Sequence, residues 1–141
     1  MGTINTRISL RSSNTFRNVI SQRHDKTYNI ESQLESATRL ITQNTSGSPY
    51  TLLSGSDYYD STETGDTANQ VYVFIRNNSN TGGKTITVQF NKNGVRDDVI
   101  VIASSEFAMF PWKCDAATDS IEVFSNDTAG VRVEYIVAPM R

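Results

Sequence analysis

Cysteine is almost missing from this sequence, and Cys114 stands alone. A single thiol excludes an intrachain disulfide framework and a cysteine-only metal site. Histidine is as scarce: His24 is the only one, and it falls in a weakly patterned stretch. A serine or cysteine nucleophile needs a base within hydrogen-bond reach, so any such triad would rest on that one imidazole. Lys113, next to Cys114, is expected to lower the thiol pKa modestly. With no second thiol or dependable base beside it, a structural cysteine is the plainer reading. Long apolar runs are also lacking. Nothing approaches the roughly 20 residues that span a bilayer. The opening Met1-Gly2-Thr3-Ile4-Asn5-Thr6 has no apolar signal core, so the expectation is a protein made in a cytoplasm with no membrane partner. Asn44-Thr45-Ser46, Asn77-Asn78-Ser79 and Asn126-Asp127-Thr128 are then chance matches to the glycosylation pattern.

Apolar residues make up 37% of the chain, below the globular share of about 45–50%. Ser, Thr and Asn take their place, which suits short strands and turns better than a helical bundle. Net charge is −2, too close to neutral to argue for nucleic acid from the total. Its distribution is uneven. Residues 1–26 carry Arg7, Arg11, Arg17, Arg23 and Lys26 against Asp25 alone, a net of +4, and the remainder carries −6. A basic leading segment on an acidic body is the pattern of an arm for an acidic partner surface, unless it is merely a solvated tail. These charges are not interleaved with the set of aromatics that base stacking needs, Phe16 being the one aromatic among them, so nucleic acid is not the expected partner.

Within residues 1–26 the apolar positions are widely spaced, and an extended arm supported by a partner is expected. The body, 27–141, reads as strands. Tyr28, Ile30 and Leu34 share one parity, although Ile30 to Arg39 could also form a short helix. Ala37–Thr42 and Tyr50–Leu53 are short strands separated by a turn-rich loop ending in Pro49. Val71-Tyr72-Val73-Phe74-Ile75 is apolar on both parities, as expected of a central strand covered on both faces. A flexible loop, Asn77 to Gly83, leads to Thr85–Phe90, which alternates strictly with one wet face. Asn93-Gly94 is the strongest short-range hairpin signal, and Val99–Ile102 returns as the partner. Ile121–Phe124 and Val131–Val137 complete the set, with Val131, Val133, Tyr135 and Val137 on one face. Strands at this spacing, with no gap after Val71 that reads as a helical crossover, predict an all-β chain: an antiparallel β-sandwich or jelly roll with an extended N-terminal arm.

Glu106-Phe107-Ala108-Met109-Phe110-Pro111-Trp112 concentrates the large apolar groups, including the only Trp. Pro111 has no ladder donor, so the segment belongs on an edge, at a bulge or at a corner. It is either a plug at the end of the core or an aromatic patch that receives a neighbouring subunit.

No other constellation carries chemistry. Asp57, Asp60, Glu63 and Asp66 offer oxygen ligands but lack the spacing and central Gly of a helix-loop-helix calcium site. A solvated acidic loop is expected, as is an exposed hairpin end at Asp97-Asp98. Carboxylate pairs suited to glycoside hydrolysis arise by accident among so many acids. Gly82-Gly83-Lys84 lacks the spacing of a phosphate-binding loop. The expectation is therefore no enzyme, no cofactor and no metal. Partner contacts are assigned to Arg7, Arg11, Phe16, Arg17, Arg23, Phe110 and Trp112.

The runs Val71–Asn77, Glu106–Lys113 and Val133–Val137 resemble those of small β-rich virion proteins of tailed bacteriophages, a group that includes capsid decoration (cement) and neck or tail components. The likeness covers roughly the last half of the chain and is one of packing, without catalytic content. It implies a virion structural role: assembly in the host cytoplasm, the major capsid protein or other virion subunits as partners, and a homo-oligomer, with a trimer favoured. The competing expectation is a carbohydrate-binding sandwich on a fibre, with Tyr58, Tyr59 or Trp112 as its stacking platform.

Overall fold

The computed structural model describes residues 2–11, 21–30 and 35–140. Ten strands follow one another: β1 (Gly2–Arg11), β2 (Ser21–Ile30), β3 (Glu35–Ile41), β4 (Tyr50–Ser54), β5 (Gln70–Asn77), β6 (Ile86–Lys92), β7 (Val95–Ile102), β8 (Phe107–Lys113), β9 (Ser120–Ser125) and β10 (Val131–Met140). One 3-10 turn, Gly55–Asp57, is the only helical element among the described residues. The stretch that offered a short helix at Ile30–Arg39 is instead strand from Glu35 on; pairing with β10 over Val131–Val137 decides it.

Two antiparallel sheets form the body, ordered β3-β10-β5-β8 and β4-β9-β6-β7. Only β6 and β7 are joined within one sheet; every other connection in the body crosses to the opposite sheet. That path through eight strands is a jelly roll. β1 and β2 pair along their full length, from Gly2 opposite Ile30 to Arg11 opposite Ser21. This hairpin joins the first sheet at a single position, Ile30 opposite Met140. β2 runs antiparallel to β10, so residues 21–29 lie beyond the C-terminal end of β10, past the sandwich.

Local chemistry explains the joints. Asn93 (φ 53°) and Gly94 (φ 85°) are both left-handed, the combination a type I′ turn demands. The Gly94 N–H donates to Asn91 Oδ1 at 2.9 Å, which locks that hairpin. The core lies between the sheets: Val71, Val73, Ile75, Val133 and Val137 from one, Ile86, Val88, Ile121 and Val123 from the other, all essentially inaccessible. Burying each such side chain contributes about 1.5–3 kcal/mol.

Three expectations need correction. β5 is central, but only its Val71, Val73 and Ile75 face is buried; Tyr72 and Phe74 on the outer face are half-exposed. Asn77 does not open a flexible loop. It is fully buried, and its Nδ2 donates to Lys84 O at 3.0 Å and Ile102 O at 3.1 Å, while Oδ1 accepts from the Ser79 N–H at 3.0 Å. One amide therefore ties β5 to the ends of the opposite sheet. Finally, the polar face of β6 is not uniformly wet, since Gln89 is only 2% exposed.

Candidate functional site

Pro111 sits on β8, the edge strand paired only with β5, where a missing donor costs nothing. The register places Ala108, Phe110 and Trp112 opposite Ile75, Val73 and Val71, and strand alternation turns this set inward. Trp112 is 6% exposed and meets Tyr58 edge-on, with ring centres 6.5 Å apart. Phe110 is half-buried against Phe90 at 5.6 Å. Of the two readings offered for this segment, Trp112 follows the core plug: its indole belongs to the core cluster.

The other parity faces out. Phe107 is 59% exposed, its ring 5.7 Å from that of Phe74. Met109 and Ile136, which flank Phe74 in the register, are half-buried. The first sheet thus carries an apolar strip on its outer face. The partner contact expected at Phe110 and Trp112 falls on the inward parity; the alternation itself holds the signal, since Trp112 inside requires Phe107 and Met109 outside. Val99 and Val101 of β7, the edge of the other sheet, are exposed as well.

Among the arm residues predicted to touch a partner, Arg7 and Arg23 are exposed and converge on Asp25. Arg7 Nε donates to Asp25 Oδ1 at 3.1 Å, and Arg23 Nε to Oδ2 at 2.6 Å. The Arg23 hydrogen bond, then that of Arg7, holds the Asp25 carboxyl below its usual range. Exposed pairs of this kind contribute little to stability, but they order one face of the hairpin. Arg11 lies in β1 opposite Ser21. Phe16 and Arg17 lie outside the described residues.

The acidic loop uses its own carboxylates. Asp60 Oδ1 accepts from the Thr62 N–H at 2.8 Å and the Thr62 hydroxyl at 2.6 Å, and Glu63 Oε2 accepts from the Asn69 N–H at 3.0 Å. Among the described residues, no group of three or more His, Cys, Asp or Glu is placed to hold a metal. The Tyr58 hydroxyl donates to Glu35 at 3.1 Å, and burial, then the Glu35 charge, raises its pKa.

Cys114 is fully buried, its thiol donating to Ala116 O at 3.1 Å. Burial raises its pKa, overturning the lowering expected from Lys113, which points to solvent. Nearby, Asp119 Oδ2 accepts the N–H groups of Asp115 and Ala116 at 3.1 and 3.2 Å, and its buried Oδ1 has no hydrogen-bond partner. Asp119 borders a cleft of about 220 Å³ floored by Phe90, Pro111 and Trp112 and rimmed by Lys92 and Lys113. Lys92 is held there by Asp115 at 2.5 Å.

On the outer face of the second sheet, Glu122 is 4% exposed. It accepts from Arg96 Nε at 2.5 Å, Asn91 Nδ2 at 3.1 Å and Ser120 Oγ at 3.2 Å. Burial pushes its pKa up, but these three partners outweigh burial and hold it below the ordinary value. Beside this network, Gln89 Nε2 donates to Asp98 Oδ1 at 2.7 Å. The Glu122 carboxylate is fully used by its three partners, whereas Gln89 Oε1 is buried without one; the features that offer themselves to another molecule are the apolar strip, the arm and the cleft beside Asp119. No family model matches the chain, and no curated protein matches it.

Proposed function

We propose that the chain is a non-enzymatic structural protein of a virion, specifically a capsid decoration (cement) protein of a tailed bacteriophage, assembled in the host cytoplasm. The observation that carries this reading is the β1–β2 hairpin: ten-residue strands held to the body by one residue pair. An isolated two-stranded hairpin is marginal in water, so its support is sought from a partner. The jelly roll is a common architecture of capsid and lectin domains; this adds only an analogy, because fold alone does not give function. In this reading the arm and the apolar strip lie across neighbouring major capsid subunits or other virion subunits. Burying at least about 1,000 Å² at each contact would raise the barrier to shell disruption. The basic arm matches acidic protein surface, and self-association as a homo-oligomer, a trimer by preference, would multiply the contacts.

The test is to add purified protein to particles lacking it and follow thermal disruption of the shell, alongside a protein gel of native particles. A 15.7 kDa band and a higher disruption temperature are expected. Absence of the band from native particles, with no thermal shift, overturns the reading.

A second reading, a neck, tail or fibre component that binds carbohydrate, draws on the cleft floored by Phe90 and Trp112 with Asn91 and Lys92 at hand. Titration of Trp112 fluorescence with soluble glycans tests it. A spectrum unmoved at millimolar glycan removes it.

A further inference from the structure

We infer that the cleft beside Asp119 is a site for a single neutral sugar ring, in which Asp119 accepts from one ring hydroxyl and Lys113 donates to a neighbouring one. The inference rests on the carbohydrate reading given second above, and adds the polar groups and the ligand class that it leaves open.

Asp119 is the anchor. It is 4% exposed and borders the cleft. Its Oδ2 is occupied by the N–H groups of Asp115 and Ala116, whereas the buried Oδ1 has no partner. A buried acceptor left unmet is costly, so a donor entering from the cleft gains more here than at an exposed carboxylate. The remaining polar groups narrow the choice. Asn91 has both ends occupied: Nδ2 donates to Glu122 Oε1 at 3.1 Å, and Oδ1 accepts from the Gly94 N–H at 2.9 Å. Lys92 is held by Asp115 at 2.5 Å. Lys113 is exposed on the rim and brings its ammonium donors.

Charge decides between occupants. A cation paired with Asp119 would lie among Lys92 and Lys113. A carboxylate or phosphate paired with Lys113 would face Asp115 and Asp119. Those two acids and two bases balance, so a neutral molecule meets no uncompensated charge. A hydroxyl both donates and accepts, and adjacent hydroxyls therefore serve Asp119 and Lys113 together. The floor agrees with this choice. Trp112 is 6% exposed, so Pro111, which is exposed, and Phe90, which is half-buried, supply most of an apolar surface for the C–H face of the ring. Volume limits the length. A cleft of about 220 Å³ holds about seven waters at about 30 Å³ each, the bulk of one hexose and not of two.

The test titrates the full-length protein with the methyl glycosides of glucose, galactose and mannose, following the heat of binding and Trp112 emission. One glycoside is expected to bind in the millimolar range, ahead of acetate and methylammonium at equal concentration. Asp119→Asn should weaken that binding about tenfold, the loss of one charge-assisted hydrogen bond. Lys113→Met, a change at an exposed side chain, should weaken it about fivefold, and it carries the test should the Asp119 variant fail to fold in urea titration. Tighter binding of acetate or methylammonium than of any glycoside overturns the inference. Binding confined to longer glycans, or unaffected by both substitutions, also overturns it and leaves the carbohydrate reading standing. Glycans of every length that leave heat and emission unchanged remove the inference and that reading together, while the particle assay decides the virion role by itself.

Discussion

Replacing Gly55 with alanine tests the packing logic of the sandwich at its tightest point. Gly55 is buried; its N–H donates to Asp119 O at 2.7 Å, and its carbonyl accepts from the Tyr59 N–H at 2.8 Å. A Cβ there would stand 2.5 Å from Ala116 O, 2.6 Å from Asp119 O and 2.9 Å from Cys114 Sγ. The first two are backbone atoms, so relief requires the Asp115–Asp119 turn to move. Overpacking of this kind costs about 1–3 kcal/mol, and weakening the Gly55–Asp119 hydrogen bond adds about 1 kcal/mol. Against this, alanine stiffens the unfolded chain by about 0.4–1 kcal/mol, since Gly55 does not use the positive-φ region. The net destabilisation is about 2–3 kcal/mol, and Tm falls by about 10 °C for a domain of this size. The assay is urea and thermal unfolding followed by Trp112, whose indole lies in the same core. Gly82→Ala is the control, because a Cβ there meets nothing within 4 Å and its φ is not positive. A Gly55→Ala protein within 0.5 kcal/mol of the Gly82→Ala control would refute the reasoning.

Asn77→Ala leaves the Lys84 and Ile102 carbonyls without their side-chain donor and should cost about 2–4 kcal/mol in urea unfolding. Glu122→Gln should destabilise the chain at neutral pH by removing the charge that Arg96 pairs with. The folded carboxyl is held below its ordinary value of about 4.3, so the wild-type advantage persists above that pH. It disappears as pH falls through the lower folded pKa. Urea midpoints of both proteins from pH 7 to pH 3 check this, and a gap that widens on acidification contradicts it. Deleting residues 2–30 removes only the Ile30–Met140 pairing from the body's ladders, so the far-ultraviolet dichroism of the truncation should retain the sandwich signal.

Where one face was buried, the sequence was legible. The alternation of Val131, Val133 and Val137 and the Asn93-Gly94 turn mark β10 and the β6–β7 hairpin without tertiary information. Pro111 likewise announced an edge. Long-range pairing was not legible. Arg7 and Asp25 meet across 18 residues, and the polar content of β1 and β2 leaves too little apolar alternation to reveal a hairpin. The apolar strip was hidden by a parity choice: Phe107 through Trp112 is apolar on both sides, and only pairing with β5 shows which half faces out. Glu122 and Asn77 look like surface residues by type, and their burial is earned from Arg96, Asn91 and Ser120 in one case and from two carbonyls in the other.

Three of the body's four sheet edges are spoiled for further strand addition. β8 carries Pro111, β7 has the Val88/Gln89 irregularity beside it and presents Asp97 and Asp98, and β4 is five residues long with its own register shift. Such devices stop sheets from growing edge to edge. Under the proposed virion role, copies crowded on a shell then adhere broadside, with three of the body's four sheet edges closed to strand addition.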